Sequence, residues 1–197
     1  MYTVKVEIQG IAPLLQHKFP IPELSALSKG GKKSTGAIDY TQEWRDYFYA
    51  TPEGHIYQPA AHIEAAMAKS ATNFKIAGKR GKTYKELFQS SVFVQPDYIL
   101  HGMDVPDGLD EFSSKPLYLD VRSVVVNRAR VVRIRPAFGP GWKLAFEIQV
   151  LDNEIQPELL NDVLVYAGRM VGIGDFRPRF GRFLVVLFAV HNTEVAV

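Results

Sequence analysis

Alternating apolar and polar residues predict strands at the start, in the later part and at the end of the chain. Residues 2–9 alternate with period two, as in a strand with one buried face, and residues 142–150 repeat that pattern. A long apolar run predicts a last strand over residues 182–191. Shorter β-like runs lie at residues 55–58, 92–95 and 98–101.

Two longer β-like runs lie in the middle of the chain, at residues 117–126 and 130–135. The pair Asn127-Arg128 between them fits a tight turn, so the pattern predicts an additional β-hairpin. In the second run Arg133 and Arg135 alternate with apolar residues, which predicts one basic face and one apolar face.

Apolar residues at helical spacing predict two helices. Pro59 precedes an alanine-rich segment, 60–74, and proline fits the first turn of a helix because its missing N–H would have no partner there. Between residues 154 and 171 the apolar side chains recur every three or four residues. Gly172 follows, where a left-handed residue commonly ends a helix. Weaker patterns predict short helices at 42–49 and 83–91.

The order of these elements is strand, helix, strands, strand, helix, strand. This is the β-α-β-β-α-β pattern of an α+β, ferredoxin-like (RRM-like) domain, here with an extra β-hairpin. No boundary divides the chain, so we expect a single domain over residues 1–197. Polar or acidic stretches rich in glycine and proline predict insertions near residues 20–50 and 102–116.

The composition favours a globular protein in a reducing compartment. The 197 residues include no cysteine, which excludes disulfides, thiolate metal sites and cysteine nucleophiles. No apolar run approaches the roughly 20 residues of a membrane span, and the alternating first residues lack the apolar block of a signal peptide. We therefore expect a cytoplasmic protein without membrane contact. The spacing of histidines and carboxylates predicts no metal site and no cofactor.

The charges are unevenly distributed, although the net charge is only +2. Acids concentrate at residues 104–111 and 152–162, whereas three other regions are strongly basic. Such segregation predicts a basic face for an anionic partner. The basic regions are 69–85 with Lys79, Arg80 and Lys82, 122–135 with Arg128, Arg130, Arg133 and Arg135, and 169–182 with Arg177, Arg179 and Arg182.

Residues 172–183, which we name the glycine loop, lie between the second helix and the last strand. Glycines here allow a backbone or a phosphate to approach closely, because they have no Cβ. Arginines supply planar donors for phosphate, and phenylalanines either stack on a base or fill the core. The residues concerned are Gly172, Gly174, Gly181, Arg177, Arg179, Arg182, Phe176 and Phe180. The loop is not a Walker loop or a dinucleotide fingerprint, since it lacks a terminal Lys-Ser/Thr and precedes a strand.

The glycine loop resembles the glycine-rich loop of the RAMP superfamily, the ferredoxin-like proteins of CRISPR systems. In that superfamily Gly-apolar-Gly and Gly-x-aromatic elements lie between the last helix and the last strand. Here Gly172-Ile173-Gly174 and Gly181-Arg182-Phe183 fill these places. Residues 56–67 resemble the segment that leads into the first helix of CRISPR backbone subunits, and residues 2–10 fit the first strand.

This resemblance implies an RNA-binding protein of antiviral defence, within a CRISPR system or as a phage-encoded or stand-alone relative. The implied partner is RNA or single-stranded DNA, and the implied assembly is a homo-oligomer or a ribonucleoprotein complex. The predicted hairpin resembles the one that CRISPR backbone subunits push between bases. We expect the ligand to contact the glycine loop, the hairpin arginines and the basic loop around residues 79–82.

Two other functions stay open on the sequence. Cleavage of RNA without a metal needs a general base near a 2′-hydroxyl and a charge stabiliser. His17, beside Lys18, is the candidate base, because CRISPR RNA-processing endonucleases place a histidine in that part of their fold. The other alternative is a non-enzymatic assembly or interaction protein, of phage origin, whose basic strands meet an acidic partner. No Gly-x-Ser-x-Gly motif favours a serine hydrolase, so the sequence favours binding over catalysis.

Overall fold

The structure is a computed structural model and describes residues 1–19, 44–114, 116–126 and 129–191. Most of the insertion predicted near residues 20–50 lies outside these ranges, and so does the predicted turn at Asn127 and Arg128. The short helix predicted at 42–49 is present as a 3-10 turn, Trp44–Tyr47.

The strands and helices follow the sequence-based prediction closely and differ from it mainly at their ends, but the short strand Leu14–Leu15 and the 3-10 helix Leu109–Ser114 were not predicted. In chain order they are β1 Tyr2–Gly10, β2 Leu14–Leu15, β3 His55–Pro59, α1 Ala60–Ala71, α2 Lys85–Ser91, β4 Val92–Gln95, β5 Tyr98–Asp104, β6 Leu117–Val126, β7 Ala129–Phe138, β8 Lys143–Val150, α3 Pro157–Tyr166 and β9 Phe183–His191. A 3-10 helix lies at Leu109–Ser114 and a π turn at Ala167–Val171.

The main sheet has the strand order β4-β8-β1-β9, and each neighbouring pair is antiparallel. Helix α1 connects the first half of this sheet, between β1 and β4, and α3 connects β8 to β9. This is the β-α-β-β-α-β topology of a ferredoxin-like domain, so the predicted α+β fold is confirmed.

Alternation along the strands places apolar side chains on the face of the main sheet that the helices cover. Val4, Val6 and Ile8 of β1 are at most 1% exposed. They belong to one apolar cluster with Ile63 of α1 and Leu160 of α3. Burial of each aliphatic side chain stabilises the fold by roughly 1.5–3 kcal/mol. This period-two pattern therefore determines which face of the sheet the helices cover.

Two smaller sheets are added to the ferredoxin-like unit. Strand β3 pairs with β5, while β2, β7 and β6 form a three-stranded antiparallel sheet. The predicted additional hairpin is present as β6–β7, and its second strand is longer than predicted because the pairing continues to Phe138, opposite Leu117. The segment predicted as an insertion at 102–116 begins inside β5 and places Phe112 against Trp44, with ring centroids 5.0 Å apart.

The second predicted helix starts later than its apolar pattern suggested. The backbone N–H of Glu154 donates to Asp152 Oδ1 at 2.8 Å in a turn, and Pro157 then occupies the start of α3. Beyond α3 the chain continues into the π turn, where Gly168 touches the last strand. A Cβ on Gly168 would lie 2.4 Å from the carbonyl oxygen of Phe183, so β9 packs directly on the backbone of this turn.

One end of the fold, which we call the loop end, collects the segments that carry the candidate site. Gly10 at the end of β1 pairs with Phe183 at the start of β9, and Gln9 pairs with Lys143 at the start of β8. The hairpin leads into β8 and the glycine loop leads into β9, so both lie at this end. Among the described residues, no helix is long and apolar enough to cross a membrane.

Candidate nucleic-acid interface

Residues 13–17 form a bridge between the hairpin and the glycine loop. On one side this segment pairs with β7 through β2. On the other side the backbone N–H of Asp175 donates to the carbonyl oxygen of Leu15 at 2.9 Å, and that of Gly181 donates to Pro13 at 2.7 Å. The hairpin and the glycine loop are therefore parts of one surface.

The glycines let the glycine loop fold closely on itself and on this bridge. Gly181 has φ +72°, and a Cβ there would lie 1.7 Å from the carbonyl oxygen of Ile173. Gly174 has φ +76°, and its Cβ would lie 2.5 Å from the carbonyl oxygen of Leu15. Gly172 ends the π turn with φ +72°. The three glycines, predicted as ligand contacts, thus face the protein's own backbone, and their positions indicate that they shape the loop.

Asp175 joins the glycine loop to the hairpin through an ion pair. Its Oδ2 lies 2.5 Å from Nε of Arg135, and Arg135 is only 7% exposed. The sequence predicts Arg135 as a surface contact for nucleic acid. The structure buries it instead, because the loop folds over this part of β7 and brings a carboxylate opposite the guanidinium. Arg135 is an anchor between the two elements.

The two phenylalanines of the glycine loop have different environments. Phe180 is 5% exposed and packs against the guanidinium of Arg122, whose carbon lies 4.8 Å from the ring centroid. Phe176 is 45% exposed and has φ +55°, a left-handed conformation that costs a non-glycine residue roughly 1–3 kcal/mol. The guanidiniums of Arg122 and Arg135 lie 6.0 and 5.9 Å from its ring. Phe180 therefore fills the core of the loop, while Phe176 presents its ring to solvent.

Arg177, Arg179 and Arg182 are exposed on the glycine loop. The ion pairs found among the described residues include none of these three arginines. Burial, and then the charge of Arg177, lowers the pKa of His62 in the first turn of α1. Three guanidiniums without acidic partners on an anchored loop form a surface suited to phosphate groups.

The charged residues at positions 120, 122, 133 and 135 share one face of the hairpin, as the alternation predicts for Arg133 and Arg135. Arg133 lies opposite Arg122 in the ladder, and Nε of Arg122 donates to both carboxylate oxygens of Asp120 at 2.7 and 2.8 Å. The backbone of Arg130 is paired near the far end of the ladder, whereas Arg128 lies outside the described residues. The described part of this face therefore contains an acid as well as arginines.

His17 lies at the base of the same hairpin. Its Nε2 is 3.3 Å from Nη1 of Arg133, and its ring packs on Tyr47 with centroids 4.5 Å apart. Because a guanidinium only donates hydrogen bonds, Nε2 is the acceptor in this contact. The predicted catalytic candidate thus lies beside a positive charge on the candidate surface. No three His, Asp or Glu side chains come together as a metal site in the part of the chain that the structure describes.

The basic loop with Lys79, Arg80 and Lys82 lies at the other end of α1. It follows the C-terminal end of this helix, whereas Gln16, next to the segment that the glycine loop contacts, bonds to Tyr57 and Gln58 just before the N-terminal end. Lys79 Nζ is 3.3 Å from Glu154 Oε2, just before α3. A helix of 12 residues is about 18 Å long, so this third basic region does not join the surface formed by the glycine loop and the hairpin.

Aromatic residues that the sequence analysis did not select border the glycine loop. Tyr98 stacks on Tyr57 with ring centroids 4.3 Å apart, Tyr57 lies 5.9 Å from Tyr49, and Tyr49 meets His62 edge-on at 5.3 Å. Asp175 donates its backbone N–H to Leu15, and the next residue, Gln16, accepts from the backbone N–H of Tyr49, so this group lies beside the loop. Burial, and then the charge of Asp175, raises the pKa of Tyr49. We call Tyr49, Tyr57, Tyr98 and His62 the tyrosine surface.

Buried amides hold the tyrosine surface in position. Gln16, 1% exposed, donates to the carbonyl oxygen of Tyr57 at 2.8 Å and accepts from the backbone N–H of Tyr49 at 3.0 Å. Nε2 of the buried Gln58 lies 2.6 Å from Nδ1 of His62. Because this amide nitrogen donates, Nδ1 accepts and the hydrogen of the neutral ring is on Nε2. Burial lowers the pKa of His62, which favours the neutral form.

The helix-free face of the main sheet has a different character. A groove of about 380 Å³ there is lined by Lys5, Glu7, Gln95, Glu147 and Leu187, among others. Its charges are mixed, and the outward positions of the central strands β1 and β8 carry no aromatic residue. RRM domains stack bases on aromatic residues of their sheet, and the central strands of this face lack such residues. Its exposed aromatic ring, Phe93, lies on the edge strand β4.

Comparisons with known proteins agree on the fold. No family model matches the sequence, and no curated protein matches it. A chain of the Type III-B Cmr-beta, solved by cryo-EM bound to cognate target RNA, has a similar fold, with a TM-score of 0.53 and 15% sequence identity. The match covers 97% of this chain but spans only 61% of that one. At this identity the likeness concerns the fold.

Proposed function

We propose that this chain is a RAMP-like protein that binds RNA or single-stranded DNA at the loop end of its ferredoxin-like fold. One observation carries the proposal. The ion pair of Asp175 with Arg135 anchors the glycine loop to the hairpin, while Arg177, Arg179 and Arg182 remain exposed on the loop. These guanidiniums bind phosphate groups, and the exposed ring of Phe176 stacks on a base.

The fold comparison supports this proposal, because the similar chain belongs to a Cmr-beta bound to cognate target RNA. A ribonucleoprotein complex, a homo-oligomer along the strand and a role in antiviral defence are parts of the proposal. The proposal also includes a single domain, which the large apolar cluster of the described residues supports. It includes a cytoplasmic location, which the absence of cysteine supports.

Fluorescence anisotropy with labelled single-stranded RNA and DNA of about 16 nucleotides tests the proposal. We expect affinity to fall steeply between about 50 and 200 mM salt, because bound phosphates release counterions. Combined Arg177→Ala and Arg179→Ala substitutions should weaken binding and lower the slope of log K against log salt by about 0.7 for each lost contact. Phe176→Ala should weaken binding without changing this slope, because stacking involves no phosphate.

The matched control combines Lys5→Ala in the middle of β1 with Lys69→Ala in the last turn of α1, which removes the same charge from exposed positions away from the loop end. We expect this control to bind nearly as the wild type does. If the two double variants lose affinity for the single strand equally, the result would contradict a site on the glycine loop. If the wild-type protein binds no single strand at low salt, the proposal is wrong.

A metal-independent endoribonuclease is the second candidate function. It is favoured by the position of His17, whose Nε2 lies 3.3 Å from Nη1 of Arg133, because such cleavage needs a positive charge beside the base. Bound RNA has to displace this guanidinium before Nε2 can accept a proton. Incubation of labelled RNA in EDTA tests it. Cleavage that His17→Ala abolishes while binding persists would support catalysis, and intact RNA would reject it.

A further inference from the structure

The tyrosine surface carries an open ring that the proposed contacts do not use. Tyr98 is 55% exposed, whereas Tyr57 beneath it is 9% exposed. The two ring planes are inclined by 29° with centroids 4.3 Å apart, so one face of Tyr98 is covered by the stack. Much of the other face is open to solvent. A ring supported on one face and open on the other is the arrangement on which a nucleobase stacks.

The support beneath Tyr98 is rigid. The backbone N–H of Tyr57 donates to the carbonyl oxygen of Tyr49 at 2.8 Å, and the buried Gln16 bonds to both of these residues. Tyr98 itself is paired with Pro59 in the β3–β5 ladder. Because the ring is already ordered in the free protein, a ligand that stacks on it pays little of the usual side-chain entropy.

The neighbours of the tyrosine surface suit a strand that carries phosphates. His62 offers an uncharged Nε2–H, since Gln58 occupies its Nδ1. The glycine loop reaches this surface through Asp175, whose backbone N–H donates to Leu15, the residue before Gln16, which bonds to Tyr49 and Tyr57. The first turn of α1 contains no acid. Ring contacts continue from His62 through Tyr49 and Tyr57 to Tyr98. A strand bound at the glycine loop therefore lies beside the group of rings that ends in Tyr98.

We infer that Tyr98 stacks on an unpaired base of the same strand whose phosphates bind the glycine loop. The inference rests on the proposed function and narrows it to a ligand with exposed base faces. A duplex offers no such face within its stack, so it can reach the loop arginines without using Tyr98. Tyrosine-lined surfaces also receive proline-rich peptides, but the exposed arginines of the neighbouring glycine loop favour a phosphate-bearing ligand over an uncharged one.

Affinity measurements on Tyr98 variants test the inference. Tyr98→Ala should weaken binding of single-stranded oligonucleotides roughly tenfold, with an unchanged salt slope, because one base stack is lost. Tyr98→Phe should bind as the wild type does, because stacking does not need the hydroxyl. The matched control is Phe93→Ala, which removes an aromatic ring of similar exposure, 39%, from an edge strand of the main sheet. Circular dichroism confirms that each variant is folded.

Photocrosslinking locates the base directly. An oligonucleotide carrying 5-iodouridine should crosslink to the peptide that contains Tyr98, and Tyr98→Ala should lose this crosslink while Phe93→Ala keeps it. If Tyr98→Ala binds and crosslinks as the wild type does while the Arg177 and Arg179 variants lose affinity, this inference is wrong and the proposed function stands. If a proline-rich peptide binds the wild type but not Tyr98→Ala, and nucleic-acid affinity is unchanged, the surface serves a peptide and the inference is also wrong. Absence of any nucleic-acid binding rejects both.

Discussion

Asp175 determines where the glycine loop lies, through two contacts made by one residue. Its backbone N–H bonds to the carbonyl oxygen of Leu15, and its carboxylate pairs with Arg135, 40 positions away in sequence. Phe176 follows directly and adopts a left-handed conformation with an exposed ring. The ion pair of Asp175 and the left-handed conformation of Phe176 together hold the ring of Phe176 beside the exposed arginines.

Replacing Asp175 tests this anchor. Asp175→Ala leaves the buried guanidinium of Arg135 without its carboxylate, so we expect the free energy of unfolding to fall by about 1–3 kcal/mol. Asp175→Asn keeps an oxygen acceptor, so its free energy of unfolding should fall by less. Urea denaturation measures both values. An alanine variant as stable as the wild type would show that the ion pair does not anchor the loop.

His101 of β5 predicts a pH dependence of stability. Its ring stacks on Phe138 at 4.1 Å, both ring nitrogens are buried without a hydrogen-bond partner among the described residues, and burial lowers its pKa to about 3. The unfolded chain takes up this proton near its ordinary pKa of about 6.5, whereas the folded protein does not. The unfolded state therefore binds more protons below that pH, and the free energy of unfolding falls as pH decreases from about 6.5 towards 3.

The variant His101→Phe keeps an aromatic ring but cannot be protonated. Between about pH 6.5 and 4.5 its stability should fall less steeply than that of the wild type, by up to roughly 1.4 kcal/mol per pH unit. Thermal or urea unfolding at several pH values gives the slope of stability against pH for the wild type and for the variant. Parallel slopes would mean that His101 is protonated in the folded protein.

At the scale of elements, local patterns predicted the type of each strand and helix better than the course of the connections. Alternation identified β1 and β8, and helical spacing identified α1 and α3, because each buries one face against a common core. The glycine loop was recognisable from its composition. Its fold was not, because the glycines at 174 and 181 serve close contacts with backbone from another segment and within the loop itself.

Two glycines with nearly the same backbone conformation allow the cost of backbone strain to be measured apart from the cost of a close contact. Gly78 has φ +74° with nothing near its missing Cβ, whereas Gly181 has φ +72° and meets the carbonyl oxygen of Ile173. Gly78→Ala should cost about 1 kcal/mol of stability from the backbone alone. Gly181→Ala should cost more and also weaken nucleic-acid binding, because the loop must move. Equal losses, measured by urea denaturation, would contradict the close approach.

At the scale of the whole molecule, β9 ends the strand order of the main sheet and carries exposed apolar side chains. Leu184, Val186, Leu187 and Val190 are between 42% and 50% exposed. Proteins usually protect such an edge with charge, proline or a covering segment, and the nine residues of β9 contain no Lys, Arg, Asp, Glu or proline. This edge supports the proposed homo-oligomer, and it equally favours the assembly-protein alternative.

Self-association through β9 is tested with Leu187→Lys. A lysine on the edge should prevent strand pairing between copies, so we expect concentration-dependent association of the wild type and a monomer for this variant. Leu151→Lys, at a position of similar exposure (46%) outside β9, is the control and should associate as the wild type does. Analytical ultracentrifugation distinguishes these outcomes. A wild type that stays monomeric at all concentrations would exclude this interface.

The sequence by itself determined the ferredoxin-like core, because strand alternation, helical spacing and the order of elements are local properties that a single buried face enforces. It also identified the exposed arginines of the glycine loop. Only the tertiary structure decided that Arg135 is buried, that residues 79–82 lie at the far end of α1, and that the tyrosine surface borders the loop. These outcomes depend on which distant segments come into contact, and the hydrophobic periodicity of a single strand or helix does not show which segments those are.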